Sequence, residues 1–305
     1  MRVLVFGGAG MLGSAITSAL RSHGHSVQTA GRSGCDISVD FQSTRHENDF
    51  LPLVQSVDIV INAVGILIER GKDRFDQVHV AAPRALFEAC AKAHVARVVQ
   101  VSALGAGRGT NSRYIASKEA AEAALIQAMQ HASGDWAVVR PSLLLRAGSP
   151  ATELFQRLAS LPVMGLPGLR ASREPLLAPM LCEDAAQAIC RICEHPKALR
   201  RAIELAGPQE LRYGDFLSEI RISLGHRPAL PLRLPWWLMH LTALLAERFP
   251  QKVLSADGLR VLHAGLTTDN NESLYWLRMM PKPVFAGMKS AQIAIQSVAS
   301  SKASV

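Results

Sequence analysis

Residues 3–16 read "VLVFGGAGMLGSAI", with three glycines (Gly7, Gly10 and Gly13) spaced three apart behind a short apolar run. The apolar residues ahead of Gly7 predict a buried strand, and the apolar spacing from Met11 onward predicts a helix, so the glycines fall on a strand-to-helix turn. At such a turn the first glycine lets the chain bend sharply. The second lets backbone approach a pyrophosphate with no Cβ in the way, and the third lets the helix pack close to the strand. The helix start adds unpaired N–H donors and a partial positive charge. In this context Gly7, Gly10, Met11, Leu12 and Gly13 read as a dinucleotide phosphate site.

The same alternation continues outward. Strand-like runs at 25–30, 57–65, 96–105 and 135–145 are separated by helical patterns at 11–22, 75–95 and 114–132. Near-continuous apolar strands between helices predict an α/β, doubly wound parallel sheet covered on both faces. After residue 145 the pattern changes. "SLPVMGLPGLR" (160–170) is rich in Pro and Gly and reads as loop, 182–196 as a short helix, and "RRAIELAGP" (200–208) as a last strand returning to the sheet. The expected division is a nucleotide-binding domain over 1–206, with 146–180 contributing to its substrate side. A smaller, mostly helical lobe over 207–290 follows, then a tail over 291–305 with little to bury and expected to be disordered.

The chain has 305 residues, 49% of them hydrophobic and 19% charged, the balance of a folded globular protein. Its net charge of +8 comes from basic residues scattered along the chain, with no basic block. This favours an anionic ligand or acidic surface and argues against nucleic acid as the partner. Five cysteines without framework spacing, and an apolar start too short for a signal peptide, place the expected site of action in the cytoplasm. No run is long enough to span a bilayer. Nothing in the pattern marks an oligomeric state.

The end of the second strand chooses between cofactors. Where an NAD site carries an acid for the adenosine ribose, this chain has Ala30, Gly31 and Arg32. A guanidinium there suits a 2′-phosphate, so NADP(H) is the expected cofactor, with NAD(H) as the alternative. Asp36 and Ile37, just beyond, fall where the adenine would lie. Asn62, Ala63, Val64 and Gly65 end the strand expected beside the nicotinamide half.

"YIASK" sets Tyr114 and Lys118 one helical turn apart on one face. An ordinary phenol is a poor base at neutral pH, and a neighbouring ammonium plus the oxidised nicotinamide ring are expected to lower its pKa so that it can exchange a proton with a substrate oxygen. Ser102, at the end of the preceding strand, is positioned to hydrogen-bond the same oxygen. Structural roles compete: Tyr114 as packing, Lys118 as a solvated helix residue, Ser102 as a strand-end cap.

Taken together, "GGAGMLG", "INAVGIL", "VVQVSALGA", "RYIASKEAAEAAL" and "VVRPSLLL" resemble the atypical, extended-like short-chain dehydrogenases/reductases, which are Rossmann-fold proteins. Within them the chain is similar to the group around the NADPH-binding accessory subunit of respiratory complex I and its bacterial relatives. The resemblance continues through "ELAGPQELRYGDFLSEI" and "LPLRLPWWLMHLTALLAERF" and omits only the tail. It implies that Gly7, Gly10, Gly13 and Arg32 bind the adenosine and phosphates, that Tyr114 and Lys118 bind ribose and nicotinamide, and that Arg140, Pro141 and Ser142 flank the nicotinamide. It also carries a departure, because His79 stands where active relatives often have an asparagine that orders a proton relay. The group includes members that hold NADPH without turning it over.

The expected activity is thus an oxidoreductase or epimerase/dehydratase using Tyr114, Lys118 and Ser102 on an unidentified small molecule. The alternative is a non-catalytic NADPH-holding assembly or stability factor for a membrane respiratory complex. "CRIC" (190–193) with His195 lacks both the haem-attachment order and a second ligand pair nearby, so Cys190 and Cys193 read as small core residues and no metal is expected. "LPWWLMHLTALLAERF" (234–249) is apolar around most of a helix. Burial in the second lobe competes there with a contact to a membrane surface or respiratory complex through Trp236 and Trp237. The absence of HExxH, GxSxG and P-loop patterns removes hydrolase and triphosphatase readings.

Overall fold

The glycine turn lies between β1 (Arg2–Phe6) and α1 (Met11–Ser22). The computed structural model describes residues 1–246, 255–278, 281 and 285. The remaining strands of the main sheet are β2 (Ser26–Gly31), β3 (Ile37–Ser38), β4 (Ile59–Asn62), β5 (Arg97–Val101), β6 (Asp135–Pro141) and β7 (Arg201–Leu205). They form one seven-stranded sheet in the order β7-β6-β5-β4-β1-β2-β3, every pairing parallel. Val5 pairs with Thr29 on one side and Ile61 on the other, so β1 sits mid-sheet, where the strand order reverses. Ligands of doubly wound sheets bind at that point.

Alternation along each strand feeds two cores. Val3, Val5, Ile61, Val99 and Val139 face α1 and α6 (Cys182–Glu194). Leu4, Phe6, Val60, Val98 and Val138 face the side of α2 (Glu47–Val54), α3 (Ala82–Lys92) and α4 (Arg113–Met129). Every residue of β4 and β5 is buried, which explains their unbroken apolar character apart from Asn62, Arg97 and Gln100. The backbone at Gly7 has φ +80°, a conformation that disfavours a side chain. A Cβ at Gly13 would fall 2.0 Å from the Gly7 carbonyl oxygen, so α1 can lie this close to the turn only with glycine there.

The second lobe is built from more of the chain than its expected 207–290. Its core joins Leu145, Met164, Leu166 and Leu177 to Phe216, Leu217 and Ile220, bringing α5 (Pro150–Ser160) against α7 (Tyr213–Ser223). Part of 160–170 is strand, not loop: Val163–Pro167 pairs in parallel with Leu230–Leu234. The prolines sit at places where a two-stranded edge tolerates them, and buried Met164 and Leu166 hold the segment to the lobe core. After α8 (Trp236–Ala246) and α9 (Ala256–Ala264), α10 (Asn271–Leu277) packs back against α6, and Trp276 and Leu277 join the sheet core there. The expected tail at 291–305 lies outside the described residues.

Candidate active site

A cavity of 510 Å³ opens where the carboxyl ends of β1, β4, β5 and β6 meet the second lobe. Of the residues singled out from sequence, Gly10, Met11, Leu12, Ala63, Gly65, Ser102, Tyr114, Lys118, Pro141 and Ser142 line it. The others lie behind or beside it. Gly7 and Gly13 form the turn underneath, and Val64 donates its amide to Asn62 Oδ1 at 3.2 Å. Buried Asn62 donates to Gln100 Oε1 at 2.8 Å, tying β4 to β5 without reaching the cavity.

Two groups expected near the adenosine have partners within the chain. Asp36 Oδ2 accepts from the Thr29 amide and the Thr29 hydroxyl, each at 2.8 Å, which holds its carboxyl below the usual range. Ile37 pairs with Ala30 in the sheet. Arg32 stands at the end of β2, more than half exposed, with Nη1 2.8 Å from Asp73 Oδ1. Arg140 turns away from the cavity, its guanidinium on both Glu122 oxygens at 3.0 and 2.6 Å and 3.7 Å from Glu204.

Helix α4 presents the tyrosine and lysine on one face, as their spacing predicts. Ser112 caps it through the Ile115 amide. A second anchor comes from 145 residues away: Asp257, in the first turn of α9, accepts from the Ser112 hydroxyl at 2.8 Å. The same carboxylate accepts from the amides of Arg113 and Tyr114, each at 2.9 Å. It satisfies two of the helix's first-turn donors and adds a negative charge at its positive end. No local pattern in the sequence points to this residue.

Lys118 is buried, its Nζ donating to the Val101 carbonyl at 3.3 Å and lying 5.9 Å from the Tyr114 ring centre. Burial lowers it to about 8, with Glu122 opposing. Burial raises the Tyr114 phenol to about 12. Loss of water around the phenol outweighs the nearby ammonium; the lowering expected from the sequence rests on that ammonium together with an oxidised nicotinamide ring. Tyr114 therefore holds its proton at neutral pH, as a proton donor must.

His79 sits in a π-helical turn, Asp76–Ala81, just before α3. Its Nε2 accepts from the Ile66 amide at 2.9 Å, so the ring proton is on Nδ1, 2.8 Å from Ser117 Oγ. Burial, then Lys118, pushes its pKa well below the usual value and keeps it neutral. Its ring stacks on Phe75 and meets Tyr114 edge-on at 5.8 Å. This histidine ties the 66 loop to α4 and backs the tyrosine without lining the cavity.

Ser102 is 3% exposed, and its Oγ has no hydrogen-bond partner among the described residues. A buried hydroxyl left this way calls for a partner from outside the chain, a water or a ligand atom. Ser142 differs, its hydroxyl donating to the Ala178 carbonyl at 2.5 Å. The rest of the wall was not legible in the sequence: Leu154, Phe155 and Leu158 from α5, Tyr213 from α7, and Leu259 and Leu262 from α9. Among the described lining residues, Lys118 alone carries a charged side chain.

The residues fit a dinucleotide on structural grounds. No side chain caps α1, which leaves its first-turn amides for an anion, and the Gly7–Gly13 approach keeps that turn open. Lys118 also yields a pH test. Between its folded value of about 8 and the ordinary 10.5, the unfolded chain holds a proton that the folded site has released. Stability contributed by this group therefore rises with pH across that window. Denaturant midpoints measured from pH 7.5 to 10 should show this rise in the wild type relative to Lys118→Met; parallel curves would refute it.

This sheet order, glycine turn and Tyr-Lys helix define a dinucleotide-binding α/β protein. A sequence profile of the NAD dependent epimerase/dehydratase family matches residues 3–206, and the chain belongs to that family. It is 27% identical over 251 residues to an epimerase family protein of Mycobacterium bovis, covering 76% of this chain and 81% of that one. It is 25% identical over 250 residues to the mitochondrial NADH dehydrogenase (ubiquinone) 1 alpha subcomplex subunit 9 of Rattus norvegicus, covering 76% of this chain and 63% of the relative. Among solved structures, MoeE5 in complex with UDP-glucuronic acid and NAD superposes with a TM-score of 0.70 at 18% identity, over 98% of this chain and all of that one, a likeness of fold. No described helix is long and apolar enough to cross a membrane.

Proposed function

We propose that this protein binds NADP(H) and interconverts a carbonyl and a hydroxyl on an apolar small molecule. The observation that carries the reading is the buried, unpartnered Ser102 hydroxyl in one cavity with Tyr114 and Lys118. When bound, the nicotinamide supplies hydride transfer. Ser102 donates to the substrate oxygen and holds it in place, and Tyr114, protonated at neutral pH, delivers the proton to that oxygen during reduction. Lys118 fixes the ribose and adds positive potential beside the phenol. Leucines and Phe155 from α5 and α9 exclude water from the reacting carbon. The substrate class follows from the same wall, since a nucleotide sugar's diphosphate would need cations that these lining residues do not supply.

The preference for NADP(H) rests on Arg32. Its ion pair with Asp73 is solvent-exposed and worth little, so a 2′-phosphate takes the place of the Asp73 carboxylate at small cost. Arg32→Glu is expected to weaken NADPH binding at least about tenfold and to change NADH binding less than about threefold. Titration calorimetry with both nucleotides checks this, and a wild type that binds NADH more tightly would sink the assignment. NADPH consumption with apolar ketones, set against nucleotide sugars, tests the substrate class. Turnover of the sugars alone would overturn it.

A second reading, an NADPH-holding assembly factor for a membrane respiratory complex, draws on one observation. Trp237, Leu241 and Leu244 form an exposed apolar stripe along α8, while Trp236 stacks on His263 at 3.9 Å between ring centres. Residues 247–249 of that segment lie outside the described residues. Retention of one equivalent of NADPH through purification, with no turnover of any ketone, would favour this role.

A further inference from the structure

The turn between α1 and β2 reads His23-Gly24-His25, with Gly24 at φ +81° closing it tightly. It lies at the amino-terminal edge of the sheet, opposite the cavity, against the last turn of α6. There the two imidazoles converge on one carboxylate oxygen: His23 Nδ1 is 3.0 Å and His25 Nε2 2.9 Å from Glu194 Oε1. Cys190, one helical turn before Glu194 on the same face, completes the group. Ligand atoms of His23, Cys190 and Glu194 all lie within 4.8 Å of one another. The second ligand pair that "CRIC" lacks along the chain is thus supplied across the fold by the first helix.

We propose that His23, His25, Cys190 and Glu194 form a structural site for a divalent transition metal of zinc's kind. The donor set is two imidazole nitrogens, one thiolate and one carboxylate, which suits a tetrahedral Zn²⁺ with no open position. His23, Cys190 and Glu194 lie within 4.8 Å of one another, so closing them on an ion takes shifts of about an ångström, and His25, 2.9 Å from Glu194 Oε1 but outside that trio, must turn in to supply the fourth donor. Charge also balances: one thiolate and one carboxylate neutralise a dication. On binding, the Cys190 thiol releases its proton to solvent. Each imidazole turns a nitrogen lone pair to the ion, the proton it showed to Glu194 moving to its other ring nitrogen.

The surroundings favour this use. The only cation adjoining Cys190 in sequence, Arg191, is turned to the Trp276 and Leu277 carbonyls. A bound dication stabilises the Cys190 thiolate directly. The side chains of His23 and Glu194 are about one-third exposed, at 32% and 31%, which gives an ion a path to the buried sulfur. The site would clip the α1–β2 turn to the end of α6, the two helices that cover one face of the sheet.

The test uses the full chain freed of metal with a chelator and titrated with Zn²⁺ against a chromophoric competitor, then with Co²⁺. The expected result is one equivalent bound at submicromolar Kd, a Tm raised by a few degrees, and a thiolate-to-cobalt charge-transfer band in the near ultraviolet. Cys190→Ser should abolish the band, and His25→Ala should weaken zinc at least about tenfold. His195→Ala, a neighbouring imidazole outside the group, should change neither. Absence of stoichiometric uptake at about 10 μM free zinc overturns the site, as does a cobalt spectrum without the thiolate band. The wild-type cobalt spectrum decides the matter even if Cys190→Ser fails to fold.

Discussion

Replacing Tyr114 by phenylalanine is expected to cut turnover by about 10²–10⁴-fold while leaving NADPH affinity within a few-fold. Among the described residues the Tyr114 hydroxyl has no hydrogen-bond partner, whereas its backbone is fixed by Asp257 and its ring by Phe75 and His79. Removing the oxygen therefore leaves the packing intact and takes away only the proton. Steady-state rates with an accepted ketone, read alongside nucleotide titrations, separate the outcomes. An unchanged rate makes Tyr114 a wall of the pocket. A joint loss of rate and nucleotide affinity assigns it to cofactor binding and removes it from the chemistry.

The largest effect on stability is expected at Arg97, far from the cavity. At the start of β5 its Nε meets Asp135 Oδ2 at 2.8 Å, both side chains nearly buried. Its Nη1 donates to the Ile192 and Cys193 carbonyls at 2.7 and 2.9 Å, and Nη2 to the Lys197 carbonyl at 2.8 Å. Asp135 Oδ1 in turn accepts from the amides of Leu199 and Arg200 at 2.9 and 3.2 Å. One ion pair thus terminates α6 and steers the chain into β7. Arg97→Met strands a buried carboxylate and three carbonyls, and should cost about 3–5 kcal/mol. Urea denaturation measures it, and Arg97→Met with Asp135→Leu should recover part of the loss. A single-variant cost below about 1 kcal/mol would mean that water reaches the pair freely.

What could be read from the sequence follows the range of the interaction responsible. The glycine turn, the buried strands and the Tyr114–Lys118 face were legible because each is written in residues a few positions apart. The strand at Val163–Pro167 was hidden by prolines that signal a loop to a local reading, though its partner lies beyond residue 229. The family resemblance implies a place beside the nicotinamide for Arg140, whose guanidinium Glu122 and Glu204 hold outside the cavity lining. The burial that raises the Tyr114 phenol is a property of the assembled lobe. Asp257 and the His23–Glu194 pairing, like most of the apolar wall, arise from segments far apart in the chain, and no pattern within a window of residues encodes them.

The Asp257 contact makes the second lobe a brace for the tyrosine helix as well as a wall. Its carboxylate rides on α9, which also contributes Leu259 and Leu262 to the cavity. Swinging α9 outward to admit a bulky guest would at the same moment strip the Arg113 and Tyr114 amides of their acceptor and loosen the first turn of the helix that carries the phenol. The acceptor that completes the start of the tyrosine helix is thus carried by the same short helix that supplies part of the cavity wall, so the shape of the wall and the setting of the phenol are fixed by one element.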